Sequence, residues 1–366
     1  MKDRLTEARA NALEWLLNSG IRNASGPLAG AFNAWHDGTW GWAYSEVTGY
    51  GVTLLCGLHV RDACPGALDA ALAGARWLTD NARVGPAYRC RYESGAGWLD
   101  HLCSFDNGMI LNGFCNLHRA TGDRAWLDAA TATADWLLAE MALASGGFVA
   151  KRDVEGRVPD LPGRWSTRTA PYQAKIAQGL ANLARSTGVA RYADAAKALC
   201  RWAVEGCDGD GRFVTDPVAG DTYLHAHVYA AEGLLSAASM LGDPALAAPA
   251  LPAARWLRTA INPSGGLSCR FDGHGPDAAE QSDSTAQALR LLLLTGAAPE
   301  LVPGLAARLL EFQCRDADPR RHGGFRYGRT GDVLTSNVTA HGTLFAVQAI
   351  DLCLRGPDGF DFALLV

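Results

Sequence analysis

The chain has 366 residues, of which 48% are hydrophobic and 19% are charged, and its formal net charge is −5. This composition is typical of a globular chain with a large core. Acidic and basic residues are interspersed, so neither nucleic acid nor an anionic membrane surface is an expected partner. No apolar run approaches the roughly 18 residues of a membrane span, and residues 1–7 contain no apolar signal segment. These features predict a cytoplasmic protein without membrane insertion.

An aromatic residue recurs at the end of six alanine-rich helical segments. It is found at Trp15, Trp77, Trp136, Trp202, Trp256 and Phe312. The corresponding outer helices are predicted at 5–19, 66–82, 124–141, 190–206, 246–260 and 300–314, and less charged inner helices at 47–60, 106–120, 170–187, 224–241, 281–296 and 337–354. A repeat of this length accommodates two helices, and six helical hairpins can close into a ring. The sequence therefore predicts an all-α, (α/α)6 barrel (toroid) that forms one domain over residues 1–366.

The loops before the inner helices carry a second repeated pattern, a glycine followed closely by an aromatic or apolar residue. It occurs as Gly41-Trp42, Gly97-Trp98, Gly147-Phe148, Gly211-Arg212-Phe213, Gly266-Leu267 and Gly324-Phe325. Glycine permits the tight turns that short β-like segments need. We expect these loops to gather at one face of the ring, where polar residues at the inner-helix N-termini would surround a cavity mouth.

Five residues near that mouth are candidates for acid/base chemistry. They are Asp106, Glu46, Asp283, His227 and His341. Each has a structural alternative: the two aspartates are favoured helix N-caps, Glu46 is a loop carboxylate, and the histidines can make ordinary hydrogen bonds. Histidines on different inner helices would suit removal and return of a proton on a sugar.

Further polar and aromatic residues near the inner-helix N-termini are candidates for sugar binding. Rings stack on sugar C–H faces, amides bind hydroxyls, and arginines hold acidic groups bidentately. The predicted substrate-binding residues are Trp42, Tyr44, Tyr50, Trp98, Asn107, Trp165, Arg168, Tyr172, Gln173, His225, Tyr229, Arg270, Gln287, Arg326, Tyr327 and Asn337.

Ten cysteines are scattered along the chain. No pair has CxxC spacing, and no cysteine–histidine cluster has the spacing of a zinc site. The sequence predicts buried thiols, no metal site and no cofactor.

Two sets of segments carry a resemblance to known proteins. The first resembles unsaturated glucuronyl hydrolases and N-acylglucosamine 2-epimerase relatives, and comprises residues 104–113, Thr121-Gly122-Asp123 and residues 134–137. The second, residues 225–235 and 339–343, is similar to uncharacterised toroids of exopolysaccharide biosynthesis clusters. The resemblance implies the six-hairpin fold for essentially the whole chain. It also implies that Asp106 transfers protons. The hydrolases usually have a second inward aspartate on the preceding inner helix; that helix has none here, and Glu46 is the nearest substitute.

The leading functional hypothesis is an enzyme that acts on a glycan or uronic-acid-containing sugar by acid/base chemistry. Hydrolase, lyase and epimerase reactions all remain open at this stage, with an oligosaccharide or polysaccharide as the expected partner and no expectation for the oligomeric state. One alternative is a non-catalytic toroid that binds or assembles polysaccharide. Another is a terpenoid cyclase or prenyltransferase, but the chain lacks both a DxDD acid and an Asp-Cys-His zinc pattern.

Overall fold

The computed structural model describes residues 1–23, 28–36, 42–159 and 164–366. This part of the chain contains twelve α-helices: α1 (Lys2–Asn18), α2 (Ser45–Asp62), α3 (Ala67–Trp77), α4 (Ser104–Thr121), α5 (Arg124–Trp136), α6 (Ile176–Thr187), α7 (Ala190–Val204), α8 (Leu224–Leu241), α9 (Ala250–Trp256), α10 (Ser282–Thr295), α11 (Val302–Glu311) and α12 (Ala340–Arg355). Short π-helical segments extend α3 (Leu78–Ala82) and α5 (Leu137–Met141), and 3-10 turns occur at Trp165–Thr167, Pro171–Lys175, Pro244–Ala247, Leu257–Ala260, Pro299–Leu301 and Phe362–Leu364.

The even-numbered helices form a closed inner ring. Each contacts the next, from α2 through α4, α6, α8 and α10 to α12, and α12 contacts α2. The odd-numbered helices pack outside this ring, each against neighbouring inner helices. Inner helices are buried on nearly all sides, as expected for segments with few charges, whereas α1 buries one face only. The predicted (α/α)6 toroid is confirmed. No helix in the described ranges is both long and apolar enough to cross a membrane.

Four of the six repeated aromatic residues, Trp15, Trp77, Trp256 and Phe312, are buried in the core, and Trp136 and Trp202 are half-buried against it. Trp15 and Trp77 are each 1% exposed. A side chain on Gly147 would come within 2.7 Å of the ring of Trp202, and one on Gly324 within 2.6 Å of Trp15. At these two positions the glycine of one hairpin therefore lets its loop pack against the aromatic residue of the next hairpin. The Gly324 contact joins the sixth hairpin to the first.

Short antiparallel strands occupy the loops, as predicted. They are β1 (Trp35–His36), β2 (Trp42–Tyr44), β3 (Arg83–Val84), β4 (Ala87–Tyr88), β5 (Arg91–Glu93), β6 (Gly97–Leu99), β7 (His101–Cys103), β8 (Lys151–Asp153), β9 (Thr222–Tyr223), β10 (Arg270–Phe271), β11 (Ala279–Gln281), β12 (Phe325–Arg326), β13 (Gly328–Thr330), β14 (Val333–Leu334) and β15 (Val338–Thr339). The strand orders are β1-β15-β12, β2-β5-β6, β11-β13-β14, β3-β4, β7-β8 and β9-β10. Because β1 pairs with β15, the first and sixth hairpins are also joined by backbone. Gly41 of the loop pattern lies outside the described residues.

Residues 362–366 close the ring axis beneath the cavity. The carbonyl of Ala363 accepts hydrogen bonds from Asn112 (3.0 Å) and Asn116 (2.7 Å). Gln178 donates to the carbonyl of Leu365 at 2.6 Å. These amides lie further along the inner helices than the residues at the helix N-termini. The segment thus forms a floor whose backbone groups are satisfied by inner-helix side chains.

Candidate active site

A cavity of about 820 Å³ lies at the N-terminal ends of the inner helices. The loops before these helices and their first turns supply its walls. Eleven of the sequence-predicted residues line it: Glu46, Asp106, Asp283, His341, Tyr44, Trp165, Tyr172, His225, Tyr229, Tyr327 and Asn337. Its volume is in the range of small-molecule sites, and its wall combines carboxylates, imidazoles and aromatic rings.

Two histidines from different helices converge on Asp283. His341 Nε2 of α12 lies 3.2 Å from Asp283 Oδ2, and His225 Nδ1 of α8 lies 3.9 Å from the same oxygen. The three residues sit in the first turns of α8, α10 and α12, and α10 contacts both of the other helices. The closed inner ring therefore brings together groups that are far apart in sequence.

The charges of this cluster follow from its burial and its contacts. Burial alone would raise the pKa of Asp283, but the neighbouring His225 and His341 lower it to about 2. Burial lowers the pKa of His225 below its usual value, against the opposing influence of Asp283. At neutral pH, Asp283 is therefore an anion and His225 is predominantly a neutral imidazole that can accept a proton.

A second acidic cluster occupies the opposite wall. Burial raises the pKa of Glu46 well above its usual range, nearby Asp106 and Asp283 raise it further, and hydrogen bonds with Tyr44 and Tyr229 oppose the shift. Burial also raises the pKa of Asp106 to about 6, against hydrogen bonds from the thiols of Cys90 and Cys103. Unlike Asp283, these carboxylates have no imidazole at contact distance among the described residues.

Aromatic rings form the wall between the two clusters. The ring of Tyr229 lies 4.7 Å from that of Phe105 and 4.4 Å from that of His225. Trp165 packs edge-on against Tyr172 at 5.2 Å. Such flat apolar faces beside hydrogen-bonding groups suit a ligand that carries both C–H faces and hydroxyls.

The structure places His227 away from the cavity, contrary to the prediction that it is catalytic. Its Nδ1 accepts a hydrogen bond from the backbone N–H of Phe213 at 3.2 Å, and its Nε2 lies 3.1 Å from the carbonyl of Ala253. Burial lowers its pKa to about 4. The residue is a neutral imidazole that joins α8 to α9, which is the structural alternative considered from the sequence.

Four of the predicted binding residues are buried outside the cavity lining. Asn107 hydrogen-bonds to the backbone N–H and carbonyl of Tyr88 and to the carbonyl of Cys103. Gln173 accepts from the N–H of Phe148 and donates to Ser104. The two others are Tyr50 and Gln287. These side chains belong to the packing around the cavity.

Five more predicted binding residues lie outside the cavity lining and have partners elsewhere. Arg168 pairs with Asp216, Arg270 with Asp221 at 2.8 Å, and Arg326 with Asp316 at 3.1 Å. Trp98 stacks on Trp77, and Trp42 lies 4.0 Å below the guanidinium of Arg91. The arginines were predicted to hold an acidic group of a ligand, but their contacts with aspartates already occupy them.

Sequence reasoning missed several lining residues, among them the titratable Cys90, Arg91, Cys103 and Lys151. All four lie in or beside the short strands β5, β7 and β8 rather than at the start of an inner helix. The glycine–aromatic loop pattern coincides with β2, β6 and β12 and therefore did not locate β5, β7 or β8. It carried no information on which strand positions face the cavity.

Comparison with known proteins supports the fold. The sequence matches no protein-family model and no curated protein. Among solved structures, a sugar epimerase from a ruminal bacterium is 14% identical with a TM-score of 0.80, and the match covers 95% of this chain and 98% of that chain.

Two further structures illustrate the range of activities found on this fold. Cellobiose 2-epimerase from Bacillus thermoamylovorans is 12% identical with a TM-score of 0.79, over 96% of this chain and 100% of the other. Unsaturated glucuronyl hydrolase from Bacillus sp. GL1 is 15% identical with a TM-score of 0.68, over 97% and 100% of the two chains. This protein therefore has the six-hairpin toroid fold over nearly its whole length, in agreement with the sequence prediction.

Proposed function

We propose that the protein is a sugar epimerase or isomerase that moves a proton at the carbon next to the carbonyl of a sugar. The observation that carries this proposal is the convergence of His225 and His341 on Asp283 inside the cavity. Similarity of the fold to a sugar epimerase and a cellobiose 2-epimerase supports it.

The cluster contains the groups that such a reaction needs. A neutral imidazole removes the proton from the carbon, which leaves an enediolate and an imidazolium, and a protonated imidazole returns a proton to the same or the adjacent carbon. Asp283 orients the His341 ring through their 3.2 Å contact, and its charge stabilises whichever imidazole is protonated. The assignment of base and acid to His225 and His341 is open to reversal, because an epimerase must work in both directions.

The opposite wall would hold the rest of the sugar. Glu46 and the hydroxyls of Tyr44 and Tyr229 lie in the same cavity and can bind sugar hydroxyls. The aromatic wall offers Phe105 and Trp165 for stacking. This distribution supports binding of the sugar chain across the cavity with its reducing end at Asp283.

The test is proton NMR of the purified protein in D2O with a panel of neutral and acidic aldoses, reducing disaccharides and unsaturated uronides. We expect deuterium at the carbon next to the carbonyl and a new epimer or ketose for at least one sugar. His225→Asn and His341→Asn should each slow the exchange about 10²- to 10⁴-fold, the usual contribution of a general acid or base.

His274→Asn is the matched control because His274 is exposed on a loop. It should leave the exchange rate unchanged. New reducing ends without carbon-bound deuterium would instead indicate glycoside hydrolysis. That result, or full exchange in both histidine variants, would overturn the proposal.

A further inference from the structure

We propose that Cys90, Cys103 and Asp106 bind a divalent transition-metal ion, Zn²⁺ by preference, in the cavity wall. This inference is independent of the proposed function. It rests on the arrangement of three side chains that sequence spacing did not connect.

The donor atoms are already close together. The two sulfurs and one carboxylate oxygen all lie within 4.8 Å of one another. Tetrahedral bonding to Zn²⁺ places two thiolate sulfurs about 3.8 Å apart. Side-chain rotations that move the donor atoms by about an ångström would therefore complete the site. Cys90 is 4% exposed, Cys103 8% and Asp106 4%. The cluster is therefore shielded from bulk water and borders the cavity.

Backbone contacts hold the two cysteines in place. The N–H of Cys90 donates to the carbonyl of His101 at 2.9 Å. Asn107 links the two segments, because its amide donates to the carbonyl of Cys103 at 2.9 Å and to that of Tyr88 at 3.1 Å. A metal site benefits from this arrangement because its ligands lose little freedom on binding.

Asp106 supplies an independent observation. Its Oδ2 is buried and has no hydrogen-bond partner in the described part of the chain. Buried polar atoms in folded proteins nearly always have partners, because an unpaired one is costly. A cation bound by the two sulfurs and this carboxylate would give the buried Asp106 side chain a partner.

The charges and ligand types favour zinc. Two thiolates and a carboxylate around Zn²⁺ carry a net charge of −1, and the ammonium of Lys151, which lies opposite Cys103 in the β7–β8 pair, balances it. Sulfur ligands select zinc over magnesium or calcium. Three protein ligands leave a fourth position, and all three residues line the cavity, so water or a ligand oxygen can occupy that position.

The experiment uses the full chain, first stripped with a chelator under reducing conditions and then titrated with Co²⁺ and with Zn²⁺. Co²⁺ should bind with one equivalent and give the intense near-ultraviolet absorption of cobalt–thiolate bonds, and Zn²⁺ should abolish this absorption by displacement. Zn²⁺ should also raise the midpoint of thermal unfolding.

Replacing a residue that only contacts a metal ligand usually weakens metal binding 10- to 100-fold. Because Cys103→Ser and Asp106→Asn each remove a ligand, we expect a larger loss of affinity. Cys115→Ser is the control: Cys115 is also buried, on α4, but is not part of the cluster, so its loss should leave the titration unchanged. Circular dichroism verifies that each variant is folded. Absence of the cobalt–thiolate absorption in the reduced protein, an unchanged absorption and affinity in Cys103→Ser, or formation of a Cys90–Cys103 disulfide in place of metal binding would overturn the proposal.

Discussion

Asp106 and Asp283 both lie in the first turn of an inner helix, Asp106 as the third residue of α4 and Asp283 as the second residue of α10. Each is 4% exposed, and both face the same cavity. Burial raises the pKa of Asp106 to about 6, whereas two histidines lower the pKa of Asp283 to about 2. The two equally buried carboxyl groups thus have pKa values shifted in opposite directions, and the neighbouring groups determine the direction.

This difference divides the cavity into two chemical halves. One half joins an anionic carboxylate to two imidazoles and is equipped to move protons. The other joins carboxylates to thiols and hydroxyls and is equipped to bind hydroxyls or a cation. Enzymes commonly use pairs of titratable groups whose environments separate their pKa values, and the repeated hairpin brings the first turns of several inner helices to the same cavity.

Glu232 extends the comparison to a carboxylate with two cationic partners. It is fully buried, 3.1 Å from Lys175 Nζ and 2.8 Å from Arg290 Nη2. Glu232→Gln leaves two buried cations without their anion, so we expect the free energy of unfolding in urea to fall by about 3 to 5 kcal/mol. Glu300→Gln, which removes an exposed pair with Arg258, should change it by less than about 1 kcal/mol. Equal losses in the two variants would show that partner charges do not govern stability here.

Asp283→Asn should cause the next largest change. The unfolded aspartate has a pKa of about 3.9, above the folded value of about 2. The charged form therefore stabilises the fold above pH 4, and this contribution is lost as the pH falls toward 2. In chelator-treated protein, the variant should be about 2 to 3 kcal/mol less stable than the parent chain at pH 7. A constant difference from pH 7 down to pH 2 would contradict this explanation.

Asp106→Asn should have the opposite and smaller effect. The folded pKa of about 6 lies above the unfolded value, so ionisation costs stability as the pH rises from about 4 to 6. In chelator-treated protein we expect the variant to be about 1 to 2 kcal/mol more stable than the parent at pH 8, with the gain vanishing near pH 4. Because the variant also loses the hydrogen bonds from the thiols, its gain in stability is smaller than the pKa shift alone would give. If Asp106→Asn were less stable than the parent chain at pH 8, ionisation of Asp106 would not destabilise the folded protein, and the explanation would be wrong.

The fold was predictable because the residues that indicate its helices recur at regular intervals along the chain. The recurring tryptophans and apolar faces placed all twelve helices, and the inner helix predicted at 224–241 matches α8, Leu224–Leu241, at both ends. Helix starts also indicated where cavity residues would lie. The sequence placed both His225 and His227 at the site, but only His225 lines the cavity. Residues two apart on a helix point about 200° from each other, and only the packing of α8 shows which one faces inward.

Other parts of the site depend on contacts that sequence spacing does not reveal. Cys90 and Cys103 approach each other through the strand pairing at His101, not through a metal-binding motif. Arg168 and Arg270 have the chemistry of a carboxylate-binding site, but Asp216 and Asp221 bind them. Distant partners of this kind decide whether a polar residue is free to act on a ligand.

The most direct test of the account is a crystal structure with an alditol, the open-chain reduced form of a sugar that exchanges deuterium. We predict that the alditol carbon corresponding to the exchanging carbon lies within about 3.5 Å of an imidazole nitrogen of His225 or His341, with the rest of the chain toward Glu46 and Tyr229. An alditol bound with that carbon against Asp106 and Glu46, and both imidazoles out of reach, would contradict the assignment of proton transfer to the histidines.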